Sequence, residues 1–488
     1  MLRSLVILCI CPVLIHLSSL CVCAHAQLRA GAATSNITPE LGSEIIGGFV
    51  PFPATHVHDE LHARCLVLDD TKTKLAIVVC DLLGMHRSLC VEARRLTQES
   101  TGILADNVLI CATHTHSAAT ALGPNRYSSD EALTDYQKFV ARRIADGVKR
   151  AANLLRPAEV AFGQVDVPEH LFNRRWFMKE GTVPVNPFGK FDKVKMNPPA
   201  GSPNLTEPAG KTDPTVSFVA LREANPTGNS QTSNSQKSMI AVFSAYSLHY
   251  VGGVGDGAIS ADYFGCYCEA LERLQRNSRG DPPFVALMAN GTSGDVNNIN
   301  FVQPRERKAP YEQMNYVAQD LATQVNAALS NLAWENQAEL AAEFRELDLK
   351  WRTVDDELLS WVQETEAKVP ATLSKDDLGP IYAGRIKRLA AASPLTKAPV
   401  QVLRIGDICI GTSPCETFTE TGLEFKERCP FEKSFLVELA HGYYGYLPTP
   451  RHFELGGYET WPGTNYLEPQ ASVKIMDALL EMSQDVQR

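Results

Sequence analysis

Short apolar runs rich in β-branched residues alternate along this chain with longer segments of helical periodicity. The runs predict strands over 63–68, 75–80, 108–111, 159–162, 239–243, 284–288, 402–405, 408–410 and 435–439. The longer periods predict helices over 88–99, 130–155, 261–275, 311–330, 355–368, 378–392, 416–428 and 473–484. Residues 178–215 and the Ser/Asn/Gln/Thr tract 223–237 read as loops, and 345–395 as a mostly helical insertion. No repeat or heptad interrupts the alternation. Strands interleaved with helices predict an α/β fold, with a mixed β-sheet core and flanking helices, in one domain over 27–488.

The first 26 residues stand outside that pattern. Arg3 supplies a positive start, Leu5 to Cys23 is mostly apolar, and Ala24-His25-Ala26 has the small-x-small form of a cleavage site. These features predict a signal peptide and a secreted or periplasmic protein. Pro12, His16 and the serines make the run a poor membrane anchor, and no later stretch is apolar for long enough to span a bilayer. Without the leader, 45 basic and 56 acidic residues leave a net charge of about −11. With no polybasic block, nucleic acid is excluded as an electrostatic partner. Nine cysteines follow the leader with no Cys-x-x-Cys pair, which excludes zinc-ribbon and thioredoxin readings.

Several apolar runs end abruptly in polar residues: 75–80 in Asp81, 108–111 in Thr113-His114-Thr115-His116, 239–243 in Tyr246 and His249, 284–288 in Asn290 and Asp295, and 408–410 in Glu416. Strand ends are where α/β proteins assemble sites. Histidines two apart after a strand can face one cavity, one ligating a metal and the other handling protons. They can equally be half-buried residues of a turn. His249 read alone is a structural histidine, and Glu416 a carboxylate favoured in a first helical turn. Glycines and aromatics cluster at 441–450 and 456–459, as in pocket walls or packed turns.

Taken in order, Ile37-Thr38-Pro39, Asn107-Val108-Leu109-Ile110 leading into Thr113-His114-Thr115-His116-Ser117, Phe172-Asn173-Arg174, the strand into His249, Gly294-Asp295-Val296, the Glu416 loop, and Tyr446 with Tyr458 resemble the neutral/alkaline non-lysosomal ceramidase family. The similarity spans most of residues 28–470. It implies a neutral-ceramidase-like catalytic domain, in a short bacterial-type member lacking the C-terminal immunoglobulin-like domain. By motif, it implies Zn2+ held by His114, His249, Glu416 and Tyr446. It also implies His116 beside the reacting centre, and Arg174 and Tyr458 contacting substrate or polarising its oxygen. One departure stands out: the family's Gly-Asp-Val-Ser-Pro-Asn reads Gly294-Asp295-Val296-Asn297-Asn298-Ile299, with Asn297 in place of serine.

The implied activity is cleavage of an N-acyl bond, in N-acylsphingosine or a related lipid amide, by zinc-activated water. His116 would move the proton, and Arg174, Tyr458 and Asn297 would hold the developing oxyanion. Two alternatives stay open: a zinc hydrolase of another soluble N-acyl compound or ester, and a homologue that has lost catalysis and acts by binding. Asn297 motivates the second. The expected partner is a small-molecule or lipid amide, with transient membrane-surface contact compatible with a lipid substrate. The sequence leaves the oligomeric state open.

Overall fold

The computed structural model describes residues 27–128, 131–224, 238–275, 282–368 and 377–488. The leader and most of the 223–237 tract lie outside the described residues. One sheet contains β1 (Arg29–Asn36), β2 (His62–Asp69), β3 (Lys74–Cys80), β4 (Val108–Ala112), β5 (Arg156–Asp166), β6 (Thr215–Glu223), β7 (Met239–Tyr246) and β8 (Val285–Asn290), in the order β8-β7-β6-β5-β1-β2-β3-β4. It is mixed: β3–β4 and β7–β8 are parallel and the other neighbours antiparallel. A second sheet has β9 (Leu340–Lys350), β10 (Leu395–Ile405), β11 (Ile408–Thr412) and β12 (Lys433–Val437), in that order.

Strand alternation sorts side chains into layers. From the first sheet, Val219, Leu221, Phe243 and Leu287 pack against Leu403, Ile410, Phe435 and Val437 of the second. The opposite face of the first sheet is covered by α1 (Arg87–Thr101) and α2 (Asp135–Asn153) over one half, and by α3 (Asp262–Leu274) and α4 (Glu312–Ala328) over the other. Helices α5 (Asp356–Glu366) and α6 (Leu378–Ala390) form a hairpin between β9 and β10. The outer face of the second sheet is buried by Phe425 of α7 (Thr419–Arg428) and by Ile475 and Leu479 of α9 (Ala471–Gln487), with α8 (Pro450–Leu455) between them in sequence. The architecture is an α–β–β–α sandwich, matching the predicted mixed-sheet class.

The chain also closes on itself at one end. After β12, Glu438 N–H donates to Asn290 O of β8 (3.2 Å), while Ala112 N–H of β4 donates to Leu439 O (3.1 Å) and His441 N–H to Ile110 O (2.9 Å). This segment therefore joins the two edge strands of the large sheet. Leu439 and His441 adopt positive φ (56° and 63°) to make the turn. The C-terminal ends of β4, β7, β8 and β11 consequently open onto one place.

Four expectations need correction. The 345–395 segment is not mostly helical at its ends, because β9 runs through Lys350 and β10 begins at Leu395. The 178–215 stretch carries strands Val194–Met196 and Leu205–Pro208, which flank Arg175–Met178 in a small sheet. Helix α7 starts at Thr419, and Glu416–Thr417 is instead a short strand parallel to Tyr446–Leu447. β1 was missed because it is built of small residues, Arg-Ala-Gly-Ala-Ala-Thr-Ser-Asn. Those are required: a Cβ on Gly31 would sit 2.2 Å from Ala151 O of α2.

Candidate metal centre

Each proposed ligand arrives by a local device. β4 is an apolar strand whose exit is turned sharply by His114 at φ 75°, a left-handed conformation uncommon outside glycine and often held at functional sites. The turn is pinned by His114 N–H donating to Leu82 O (2.9 Å) and by its ring Nδ1 against Leu83 O (2.7 Å). His116 sits two residues on, stacked on Tyr250 at 3.6 Å, with Nδ1 against Gly47 O. Gly47 has to be glycine, since a Cβ there would lie 2.1 Å from His116 O. His249 follows β7, and its Nδ1 lies 3.3 Å from both Ser293 O and Ser293 Oγ.

Glu416 is brought in by pairing with Tyr446 in the short parallel ladder. Gly294 is what allows that approach: a Cβ there would be 2.5 Å from Glu416 O. The Gly-Asp-Val motif is thus a backbone-packing device. Its Asp295 accepts from Asn173 Nδ2 (2.8 Å), Thr419 N–H (2.9 Å) and Thr419 Oγ1 (3.0 Å), away from the cavity.

The donors converge. His114 Nε2 lies 3.3 Å and His249 Nε2 3.8 Å from Glu416 Oε2, and His114 Nε2 and His116 Nε2 are 3.2 Å apart. One ligand atom from each of the three histidines falls within 4.8 Å of the others. With each Nδ1 turned to a backbone carbonyl, the three rings direct their Nε2 atoms toward one another. Glu416 Oε2 is buried with no hydrogen-bond partner among the described residues. Imidazole nitrogens and a carboxylate oxygen gathered this closely form a donor set that a shared cation would satisfy. Imidazole nitrogen with carboxylate or phenol oxygen is the donor chemistry of zinc and similar divalent ions. The residues present therefore fit a metal.

The electrostatics agree. Burial pushes the Glu416 carboxyl up, but His114 beside it and the Tyr443 and Tyr446 hydroxyls outweigh burial and hold it down at about 2. Burial, reinforced by neighbouring imidazoles and Arg174, holds His116 and His249 well below the usual histidine range, so both rings are neutral at pH 7. Burial raises the Tyr446 hydroxyl, against the pull of Arg174.

Of the remaining predicted residues, Arg174 and Tyr458 line the same cavity, of about 290 Å³, as the histidines, Glu416 and Tyr446. Arg174 is clamped by Glu459 Oε1 (2.9 Å) and Gly294 O (2.9 Å), and points its third nitrogen at His249 Nε2 (3.5 Å). Asn297 does not line the cavity. Its Nδ2 donates to Asn197 Oδ1 (2.7 Å) and its Oδ1 accepts from Ile299 N–H (2.9 Å), so it acts on the cavity through Asn197. The expectation of Asn297 as a direct oxyanion donor is replaced by that indirect placement. Asp81, His56 and His58 stay out as well: Asp81 pairs with Arg64, and His58 stacks on Tyr311.

Sequence reasoning missed Tyr443, whose hydroxyl donates to Glu416 Oε1 at 2.6 Å, and Glu459, which holds both Arg174 and Arg175. Both sit in the Gly/aromatic clusters noted in the sequence, but nothing there separates a pocket wall from a packed turn.

No family model matches the chain, and no curated protein matches it by sequence. Solved structures do. A ceramidase complexed with C2 superposes at a TM-score of 0.68 with 16% identity, over 95% of this chain and 75% of that one. The neutral ceramidase from Pseudomonas aeruginosa superposes at 0.65, also with 16% identity and the same coverage. This chain has the neutral ceramidase fold. The likeness covers 95% of this chain, so the architecture implied by the sequence resemblance is the one observed.

Proposed function

We propose that this protein is a zinc-dependent amide hydrolase that cleaves an N-acyl bond, with a ceramide-like lipid amide as the reference substrate. The observation that carries the reading is the convergence of His114, His249 and unpartnered Glu416 Oε2 at the floor of a cavity, in a fold shared with neutral ceramidases. His114, His249 and Glu416 would hold the ion, with Tyr446 completing the set. A bound zinc ion supplies Lewis acidity that polarises a carbonyl and acidifies water.

The chain's own residues supply the rest. His116 is neutral, less buried than His114 and His249, and has its Nδ1–H tied to Gly47 O, which leaves Nε2 to accept a proton and return it to the departing amine. Arg174 and Tyr458 present donors to the same space, and one well-placed donor to a developing oxyanion contributes about 3 kcal/mol. Glu459 fixes Arg174 in advance, so little reorganisation accompanies the reaction.

The test combines metal analysis with turnover. His114→Ala and His249→Ala should lose both bound zinc and amide hydrolysis. His116→Ala should keep zinc at one per chain and lose turnover by about 10²–10⁴-fold, the range for a general acid–base group. Full zinc occupancy and activity in the first two variants would refute the assignment, and zinc loss in the third would make His116 a ligand.

A further inference from the structure

The cavity wall carries more positive charge than the reaction accounts for. Arg126, Arg174 and Arg385 line it, against one carboxylate, Glu416. Arg174 is paired with Glu459, which it shares with Arg175. The other two are not paired with any acid among the described residues. Arg126 donates to the Tyr466 hydroxyl (2.9 Å) and lies 5.5 Å over the Tyr443 ring. Arg385, from α6, touches Gly463 O (3.3 Å) and lies over Phe49 and Tyr382 at 5.1 and 5.2 Å. The two guanidiniums are near enough for Arg126 to act electrostatically on Arg385. Like charges facing one aromatic-walled cavity repel, and an anion entering between them relieves that repulsion. Guanidiniums bind carboxylates and phosphates through paired N–H donors.

Their position locates the anion. Tyr443 carries Arg126 over its ring and gives its hydroxyl to Glu416, so the cationic wall is one aromatic residue from the proposed ligands. Both guanidiniums and the proposed ligands line the same cavity of about 290 Å³. Resting on the hydrolase reading, we infer that the preferred substrate is an N-acylated amine bearing an anionic group close to the scissile amide, as in an N-acyl amino acid, with Arg126 and Arg385 as the residues that select it. Water then supplies OH to the acyl carbon and H to the nitrogen as the C–N bond breaks, releasing a carboxylic acid and the free amino acid. Neutral N-acylsphingosine leaves both guanidiniums without a counter-charge.

Zinc-loaded protein would be given N-decanoylglycine against N-decanoylglycinamide, and N-decanoyl-ethanolamine phosphate against N-decanoylethanolamine. The expected result is a kcat/KM at least 10-fold higher for the carboxylate than for its neutral partner. In Arg126→Gln/Arg385→Gln that ratio should fall at least 10-fold, chiefly through KM, whereas Arg126→Lys/Arg385→Lys should keep part of it. Equal rates within the carboxylate pair, or an unaltered ratio in the Gln variant, would overturn the inference and leave the hydrolase standing. A larger ratio in the phosphate pair would overturn the carboxylate assignment in favour of a phosphate monoester. Should no amide be cleaved, the hydrolase reading fails, and calorimetric binding of N-decanoylglycine against its amide still decides. Acid-selective binding lost in the Gln variant supports the anion site, and non-selective binding rejects it.

Discussion

At the scale of single residues, the centre depends as much on what holds the ligands as on the ligands. Tyr443 donates to one Glu416 oxygen at 2.6 Å and leaves the other without a partner, which orients the carboxylate toward His114 and His249. Groups that orient a ligand in this way are worth about 10–100-fold in metal affinity or activity. Tyr443→Phe should therefore weaken zinc by that factor while keeping the fold, measured by chelator competition. An affinity equal to that of the parent would show that Glu416 is held by its ladder with Tyr446 alone. Asn297 teaches the opposite lesson. Its identity drew attention in the sequence, yet its amide is spent on Asn197 and Ile299 N–H.

At the scale of elements, strand ends do the positioning. β4 and β7 deliver histidines, and the two-residue ladder Glu416–Thr417 with Tyr446–Leu447 delivers the oxygens. Gly294 lets this ladder reach the centre. Gly294→Ala would drive a Cβ to 2.5 Å from Glu416 O, a backbone atom that cannot rotate away. Overpacking of this kind costs about 1–3 kcal/mol. Urea unfolding should show a loss in that range together with reduced zinc occupancy, and a variant equal to the parent in both would contradict the account. The α5–α6 hairpin brings Arg385 and Tyr382 to the cavity region, although its helical period in the sequence marks only an amphipathic insertion.

At the scale of the whole molecule, burial of neutral histidines sets acid sensitivity. His452 is fully buried against Phe418 and hydrogen-bonded to Thr449, and burial, aided by Arg175 and Arg451, lowers its pKa to about 3. An unfolded histidine titrates near 6.5, at about the ordinary value. Between those values the unfolded chain binds the extra proton, so stability rises with pH through the window and is lost as pH falls from about 6.5 toward 3. One such group contributes a slope of about 1.4 kcal/mol per pH unit. Denaturation midpoints of His452→Gln should fall less steeply than those of the parent over this window, and equal slopes would remove His452 as a cause.

Much of this was legible in the amino-acid order alone. The apolar runs marked β2, β3, β4, β7, β8, β11 and β12 because a strand buried on both faces must be apolar along its length, and their polar exits marked His114, His249 and Glu416. Turn and packing demands at Gly31, Gly47 and Gly294 were invisible, since a glycine's reason lies in the backbone that approaches it from elsewhere in the chain. The same holds for the site. Glu416 read as a helix start, and only its pairing with Tyr446 makes it part of the centre. His114 and His249 are 135 positions apart, and they meet because the segment after β12 joins the edge strands of the large sheet. Residue types and local periods come from the sequence because they depend on near neighbours. The convergence of donor atoms, the exclusion of Asn297 and the unpaired guanidiniums depend on contacts across the sandwich, and those arise only once both sheets are packed.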